Sequence, residues 1–275
     1  MDFTRELAGL SAEQAALLDA LLHEASHDGR QNTPAATAPR VVPIQKGGAH
    51  RPLFLIHGTG GQVLFLHALA RHMSPTQPLY GIEAATQNRS ECANPQPGCG
   101  RYVEALRAVQ PHGPYWLGGY SAGCLIAFEA ATLLRQAGED VAFLLLIDPM
   151  PVPDKTVAPA DNPPTPQQRL HRRFEIAMLA GVTPLSPEFP AIEQVSREIS
   201  DLALNFRAAP IDRRIHVVHG ARGAYVPSRA ALQSWADLAG GGLECAEIEA
   251  DHFEIVRDPH AAMTGAKIQS WLDAL

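Results

Sequence analysis

Residues 115–124 read Tyr115-Trp116-Leu117-Gly118-Gly119-Tyr120-Ser121-Ala122-Gly123-Cys124, an apolar run that ends on a serine bracketed by glycines. Residues 115–118 have the character of a buried strand and residues 124–136 that of a helix. A serine placed between the two, with no room for a loop, sits on a turn so sharp that its own backbone is strained and only small residues fit beside it. Ser121 Oγ then projects from the carboxyl edge of the sheet, with Gly119 and Gly123 as the elbow glycines. The pattern Gly-x-Ser-x-Gly is weak by itself, and the strand–turn–helix setting gives it weight.

Outward from that turn, short apolar runs at 53–56, 115–117, 141–147, 215–218 and 243–248 alternate with longer segments of helical pattern. This rhythm predicts an α/β class chain built on a mainly parallel sheet covered by helices on both faces. It fails between Pro149 and Pro210. Seven prolines from Pro149 to Pro166 block early regular structure, and residues 167–180 and 192–207 then read as two helices. An insertion of that size between core strands, at about 150–210, is expected to be a helical lid over a site. The first 25 residues carry Leu7, Leu10, Leu17, Leu18, Leu21 and Leu22 at helical spacing, with Ser11 and Gln14 placed as a capping box. Residues 26–50 read as a linker, so the main domain is expected over 51–275. Internal repeats are absent.

Composition narrows the function. The 275 residues hold 22 Lys and Arg against 29 Asp and Glu, a net charge of −7, which disfavours nucleic acid as a partner. The purest apolar run, 141–147, falls far short of the ~20 residues a membrane helix needs. Residues 1–6 lack a basic n-region and an apolar h-region, so the expected compartment is the cytoplasm. Cys92, Cys99, Cys124 and Cys245 form no Cys-x-x-Cys pair and are read as unpaired, with no metal site.

A serine hydroxyl needs a histidine base, itself oriented by a carboxylate. Of twelve histidines, His252 follows the last strand and precedes the C-terminal helix, the place where such a sheet delivers its base. His57, His216 and His219 are rivals, read more simply as strand-end histidines bonded to backbone. Residues 213–236 contain no Asp or Glu, which removes the loop after the strand at 215–218 as a source of the acid and leaves Asp148, at the end of the strand 141–147. Asp251 is second, because it would have to fold back on its own neighbour. The glycine-rich turn His57-Gly58-Thr59-Gly60-Gly61 is not a phosphate loop; it is suited to expose backbone donors, and the oxyanion hole is assigned to the Thr59 and Ala122 N–H groups.

Taken together, Gln110-Pro111-His112-Gly113-Pro114-Tyr115, Leu117-Gly118-Gly119-Tyr120-Ser121-Ala122-Gly123, the turn at 57–61, Leu145-Leu146-Ile147-Asp148-Pro149 and Asp251-His252-Phe253 resemble the thioesterase domains of nonribosomal peptide and polyketide synthetases, over about residues 51–275. The resemblance implies an α/β-hydrolase fold, a triad of Ser121, Asp148 and His252, and an acyl or peptidyl thioester substrate. It implies no bound cofactor: the substrate rides on the phosphopantetheine of a partner acyl or peptidyl carrier protein. Two positions depart from the family. Cys124 stands where a third glycine is usual, and residues 87–100 differ from the usual helical lead-in. Free-standing editing thioesterases more often have His before the serine, so Tyr120 favours product release by hydrolysis, cyclisation or transfer; an editing enzyme and a non-catalytic acyl-binding protein are the alternatives. Arg169, Arg172 and Arg173 share one helical face. They are read either as a solvated lid surface or as a docking patch for an acidic carrier.

Overall fold

The strand that delivers the serine, Tyr115–Tyr120, is buried along its whole length, as an apolar run without alternation requires when both faces of its sheet are covered. The computed structural model describes residues 9–28, 38–48, 50–84, 95–152, 165–187, 189–206, 208–223 and 225–275. In chain order the elements are α1 (Ala12–Asp28), β1 (Arg40–Gln45), β2 (Leu53–Ile56), α2 (Leu66–Ala70), β3 (Leu79–Glu83), α3 (Pro95–Val109), β4 (Tyr115–Tyr120), α4 (Gly123–Gln136), β5 (Val141–Ile147), α5 (Pro166–Ala180), α6 (Phe189–Asn205), β6 (Ile215–Gly220), α7 (Arg229–Ala236), β7 (Leu243–Ile248) and α8 (His260–Leu272).

The strands form one seven-stranded sheet in the order β1-β3-β2-β4-β5-β6-β7. Every pairing is parallel except β1 with β3, so the carboxyl ends of β2 and of β4 to β7 lie along one edge. After β2 the chain turns outward to β3, then crosses back to β4 on the other side. That reversal opens a crevice between the loops after β2 and β4, the place where open α/β sheets bind ligands.

One face of the sheet packs under α3, α4 and α7 around Phe128, Phe206 and Trp235; the other packs under α2 and α8 around Trp116, Tyr120 and Trp271. Of the two inserted helices, α6 shares the first of these cores through Val195 and Ile199, with Phe206 just past its end. By contrast, α5 builds a smaller cluster against α6, with Ile176 and Ala177 facing Phe189 and Ile192. Its Leu170 packs under Ala15 and Leu22 of α1. The capping box forms as expected: Gln14 N donates to Ser11 Oγ at 3.2 Å and Ser11 N to Gln14 Oε1 at 2.9 Å.

The linker reading of residues 26–50 needs correction at its end, because Arg40–Gln45 is the edge strand β1. Its side chains are only partly buried and Pro43 interrupts it, a residue that sheets tolerate at their edges, so no apolar run marks it in the sequence. The structure places β3 between β1 and β2, where the sequence reading has no strand. Residues 29–37 and 85–94, with Cys92, lie outside the described residues. Pro95 and Pro97 fall in the first turn of α3, where a missing N–H costs nothing.

At the elbow the backbone leaves no room for a methyl group. A Cβ on Gly123 would lie 1.9 Å from the His57 carbonyl oxygen, and one on Gly119 would lie 2.3 Å from the Gly123 oxygen. Both obstacles are backbone atoms. Gly123→Ala is therefore expected to cost at least about 3 kcal/mol, at the upper end of overpacking effects. The urea midpoint of the variant checks this, with Gly138→Ala, whose site is open but has positive φ, as the comparison for backbone strain alone.

Candidate active site

Ser121 and Asp148 each stand one residue beyond a strand end and share an uncommon feature. Their φ angles are +55° and +47°, and they are the non-glycine residues with positive φ among those described. Each is held there from a neighbouring strand: Ser121 N donates to Ile147 O at 2.8 Å, and Asp148 N donates to Val218 O at 2.7 Å. Such conformations cost of order 1–3 kcal/mol and persist only where the surroundings over-determine them. The result is that both side chains turn up over the carboxyl edge of the sheet.

His252 reaches between them from the turn after β7. Its Nδ1 bonds Asp148 Oδ2, and its Nε2 lies 3.0 Å from Ser121 Oγ. The other carboxylate oxygen, Asp148 Oδ1, accepts from Gly220 N at 3.0 Å. All three side chains are buried, with Ser121 and Asp148 4% exposed and His252 6%. The carboxylate beside Nδ1 places the imidazole proton there, which leaves the Nε2 lone pair facing the serine hydroxyl. The arrangement can move a proton from Ser121 Oγ to His252 while Asp148 stabilises the imidazolium that results. Asp251 does something else: its Oδ1 accepts from Phe253 N and Glu254 N, both at 2.8 Å, and so shapes the turn that presents His252.

The rival histidines have other partners. His57 is buried, with Nδ1 donating to Gly58 O and Nε2 accepting from Tyr102 Oη, both at 2.6 Å. Burial lowers its pKa to about 4, against a partial offset from the Gly58 carbonyl. His219 Nδ1 bonds Gly220 O, and His216 sits between the rings of Phe143 and Trp271. Cys124 fills the usual glycine position with its thiol donating to Gly119 O at 3.2 Å. It is buried, like Cys99, whereas Cys245 is exposed.

Two contributors were not legible in the sequence. Tyr120 donates from its hydroxyl to His252 O at 2.6 Å while its ring stacks on the imidazole at 5.1 Å, so it fixes both backbone and ring of the histidine. Tyr225, in the loop after β6, places its ring 5.0 Å from the same imidazole. Tyr120 adjoins the serine and could have been singled out by position; nothing local to Tyr225 marks it.

Ser121 and His252 open on a cavity of about 720 Å³ whose wall includes both Thr59 and Ala122, the residues assigned to the oxyanion hole. Among the described residues neither backbone N–H is consumed by a backbone hydrogen bond. Its wall includes one face of α5, with Gln167, Gln168, His171, Arg172 and Glu175, and apolar side chains from other elements, among them Met150, Ile199, Val226 and Phe253. Of the arginines expected to share one solvated face, Arg169 and Arg172 are exposed and Arg173 is not. Arg173 is 5% exposed, donates to Leu22 O at 3.0 Å and pairs with Glu193. Arg169 pairs with Asp19 of α1 at 2.7 Å, and Arg172 lines the cavity wall. Burial thus removes Arg173 from an exposed patch, while Arg169 and Arg172 keep exposed side chains. Among the described residues no cluster of His, Cys, Asp or Glu could hold a metal ion, and no helix is long and apolar enough to cross a membrane.

A mostly parallel, doubly covered sheet that brings a serine, a histidine and an aspartate together at its carboxyl edge under a helical insertion defines the class of α/β-hydrolases. Residues 51–270 match the Thioesterase domain family, and the chain belongs to it. The structure is similar to that of the NocB thioesterase domain in covalent complex with a fluorophosphonate nocardicin G analog, with a TM-score of 0.68 and 26% identity over 86% of this chain and 100% of that one. It shares its fold with the thioesterase domain SrfTE of surfactin cyclization, at a TM-score of 0.66 and 18% identity over 86% of this chain and 96% of that one. In sequence it is 32% identical over 181 residues to nonribosomal peptide synthetase btyA of Aspergillus terreus, covering 65% of this chain and 18% of that one. It is 40% identical over 112 residues to indigoidine synthase of Dickeya dadantii, covering 40% of this chain and 8% of that one. The matched part of the chain spans between 2% and 20% of the length of the curated synthetases it resembles.

The buried His57 makes a prediction about acid stability. Its pKa is about 4 in the folded chain against 6.5 for an ordinary imidazole, so the unfolded state binds the proton more readily. The native state holds its full advantage above pH 6.5 and loses it as the pH falls to 4, by about 3 kcal/mol. Subtracting the pH dependence of unfolding free energy of His57→Gln from that of the wild type should leave this slope between pH 6.5 and 4, and none above.

Proposed function

We propose that the chain releases an acyl or peptidyl group from the phosphopantetheine thioester of a carrier protein, through an ester on Ser121. The observation that carries this reading is the unbroken hydrogen-bonded line Asp148–His252–Ser121, opening directly on a cavity of about 720 Å³. Ser121 Oγ attacks the thioester carbonyl as His252 Nε2 takes its proton. The oxyanion is met by the Thr59 and Ala122 N–H groups. When the C–S bond breaks, His252 returns the proton to the departing thiolate, leaving the acyl group on Ser121. Water, an amine or a hydroxyl of the chain itself then gives its proton to His252 and takes the acyl group, regenerating the serine.

The carrier and its thioester are supported by the resemblance to synthetases, among them a nonribosomal peptide synthetase of Aspergillus terreus. The wall chemistry points the same way. A wall that joins Gln167, Gln168, His171, Arg172 and Glu175 to apolar side chains suits a chain with amides or hydroxyls along it better than a bare alkyl chain. The lid excludes water to an extent set by its packing, which decides between hydrolysis and an internal nucleophile.

Two variants test the reading. Ser121→Ala should abolish thioester turnover and covalent labelling by a fluorophosphonate, both followed by intact-protein mass spectrometry; labelling that persists would place the nucleophile elsewhere. Asp148→Asn should fold and lose roughly 10³–10⁴ in kcat, the loss expected when a triad histidine is left in the wrong tautomer. Asp251→Asn should lose far less, since it touches the turn and not the imidazole ring.

A further inference from the structure

Residues 213–236 hold no carboxylate, yet the loop after β6 reaches the active site all the same, through Tyr225. That loop is pinned at both ends. Ala221 N and Arg222 N donate to Ile248 O and Ala250 O at 2.9 and 3.1 Å, and Ser228 caps α7 by accepting from Ala231 N. Tyr225 stands between the pins. Its ring lies 5.0 Å from the His252 imidazole and meets Phe253 edge-on at 6.1 Å, and it remains 47% exposed on the chamber side. Its hydroxyl donates to Glu175 Oε1 at 2.8 Å. Glu175 belongs to α5, the lid helix, and lines the same chamber.

These contacts join groups that the fold otherwise holds apart. From Glu175 through Tyr225 to His252 there runs one short chain of direct contacts, linking the lid helix to the ring that moves the proton. We propose that Tyr225 is a positioning and specificity-determining residue of the thioesterase reaction, holding the lid helix in register with the His252 ring and thereby coupling occupancy of the chamber to the geometry of proton transfer. The two halves of the side chain do different work. The ring limits the imidazole to the orientation that faces Ser121. The hydroxyl, whose pKa burial and Glu175 both raise, stays protonated through neutral pH and so remains a donor to the lid. An acyl chain that fills the chamber presses on α5 and on the exposed side of the ring at once. A small acyl group does not reach both.

The inference rests on the thioesterase reading, and the measurements separate the two. Wild type and variants are compared on acetyl and tetrapeptidyl thioesters of N-acetylcysteamine, and by the rate of Ser121 labelling with a fluorophosphonate. Tyr225→Phe keeps the ring and removes the lid bond; it should lower kcat/KM on the tetrapeptidyl substrate about tenfold, through KM, with a loss at least threefold smaller on the acetyl substrate. Tyr225→Ala should also lower kcat at least tenfold on both substrates and slow labelling, and the return of kcat in Tyr225→Phe distinguishes positioning from general destabilisation. Glu175→Leu should match Tyr225→Phe, Glu175→Gln should retain most of the activity through its remaining acceptor oxygen, and Glu175→Leu combined with Tyr225→Phe should be no worse than either alone. Multiplying losses in the double variant, equal loss on both substrates in Tyr225→Phe, or no change in any variant would overturn the coupling. If the wild type is labelled yet turns over neither thioester, the proposed function fails, and the ring's role is then read from the labelling rates alone.

Discussion

The structure turns on a contact between two stretches of backbone. The first residue of α4, Gly123, lies against the His57 carbonyl so closely that no side chain could stand there. This approach brings the loop after β2 against the start of the helix after β4, and it is what narrows the crevice at the reversal of strand order into a usable site. It sets Thr59 and Ala122 on one wall, and it forces Ser121 into the left-handed region because the chain must leave β4 and enter α4 within two residues. The partner strain at Asp148 has a different origin: the chain leaves β5 while its N–H is tied to Val218 O across the next strand. Two strained residues a few ångströms apart are tolerable because the sheet beneath them, from Leu53 to Ile147, is almost fully buried and shares the cost over many contacts.

Burying a carboxylate and an imidazole together is costly unless each polar atom finds a partner. Asp148 meets that condition with one oxygen on His252 Nδ1 and the other on Gly220 N. His252 meets it with Asp148 and Ser121 on its nitrogens, its carbonyl on Tyr120 Oη, and the rings of Tyr120 and Tyr225 against its sides. The lid follows the same logic at larger scale. Arg173, nearly out of reach of water, is compensated by Glu193, the Leu22 carbonyl and the face of Phe189. Through it and through the Arg169–Asp19 pair, α1 is fastened to α5, so the described N-terminal helix serves as the outer layer of the lid.

What could be read from the sequence was whatever local chemistry forces. The elbow was legible because a sharp turn admits few residues around a serine, the fold class because fully buried parallel strands read as unbroken apolar runs, and Asp148 because elimination left a carboxylate at a strand end. The edge strand was not. Arg40–Gln45 is half-wet and carries a proline, so neither alternation nor an apolar run betrays it, and only its pairing with β3 makes it a strand. The burial of Arg173 is hidden for a related reason: helical spacing shows that three side chains share a face, but not what that face meets. Here it meets α1 and α6, elements far away in the chain.

The source of the acid explains a last feature of the site. A carboxylate delivered from the end of β6 would occupy the loop that follows that strand and bind it to the histidine for good. In this chain the carboxylate bonded to His252 stands at the end of β5, and β6 contributes the Gly220 N–H that steadies it. The loop after β6 keeps its position beside His252 but is released from ionic duty, and a tyrosine can take the place, with an apolar face for the imidazole and a hydroxyl for the lid. With the carboxylate after β5, the hydrogen-bonded line to Ser121 is complete without one after β6, and the loop after β6 touches both His252 and Glu175 through Tyr225.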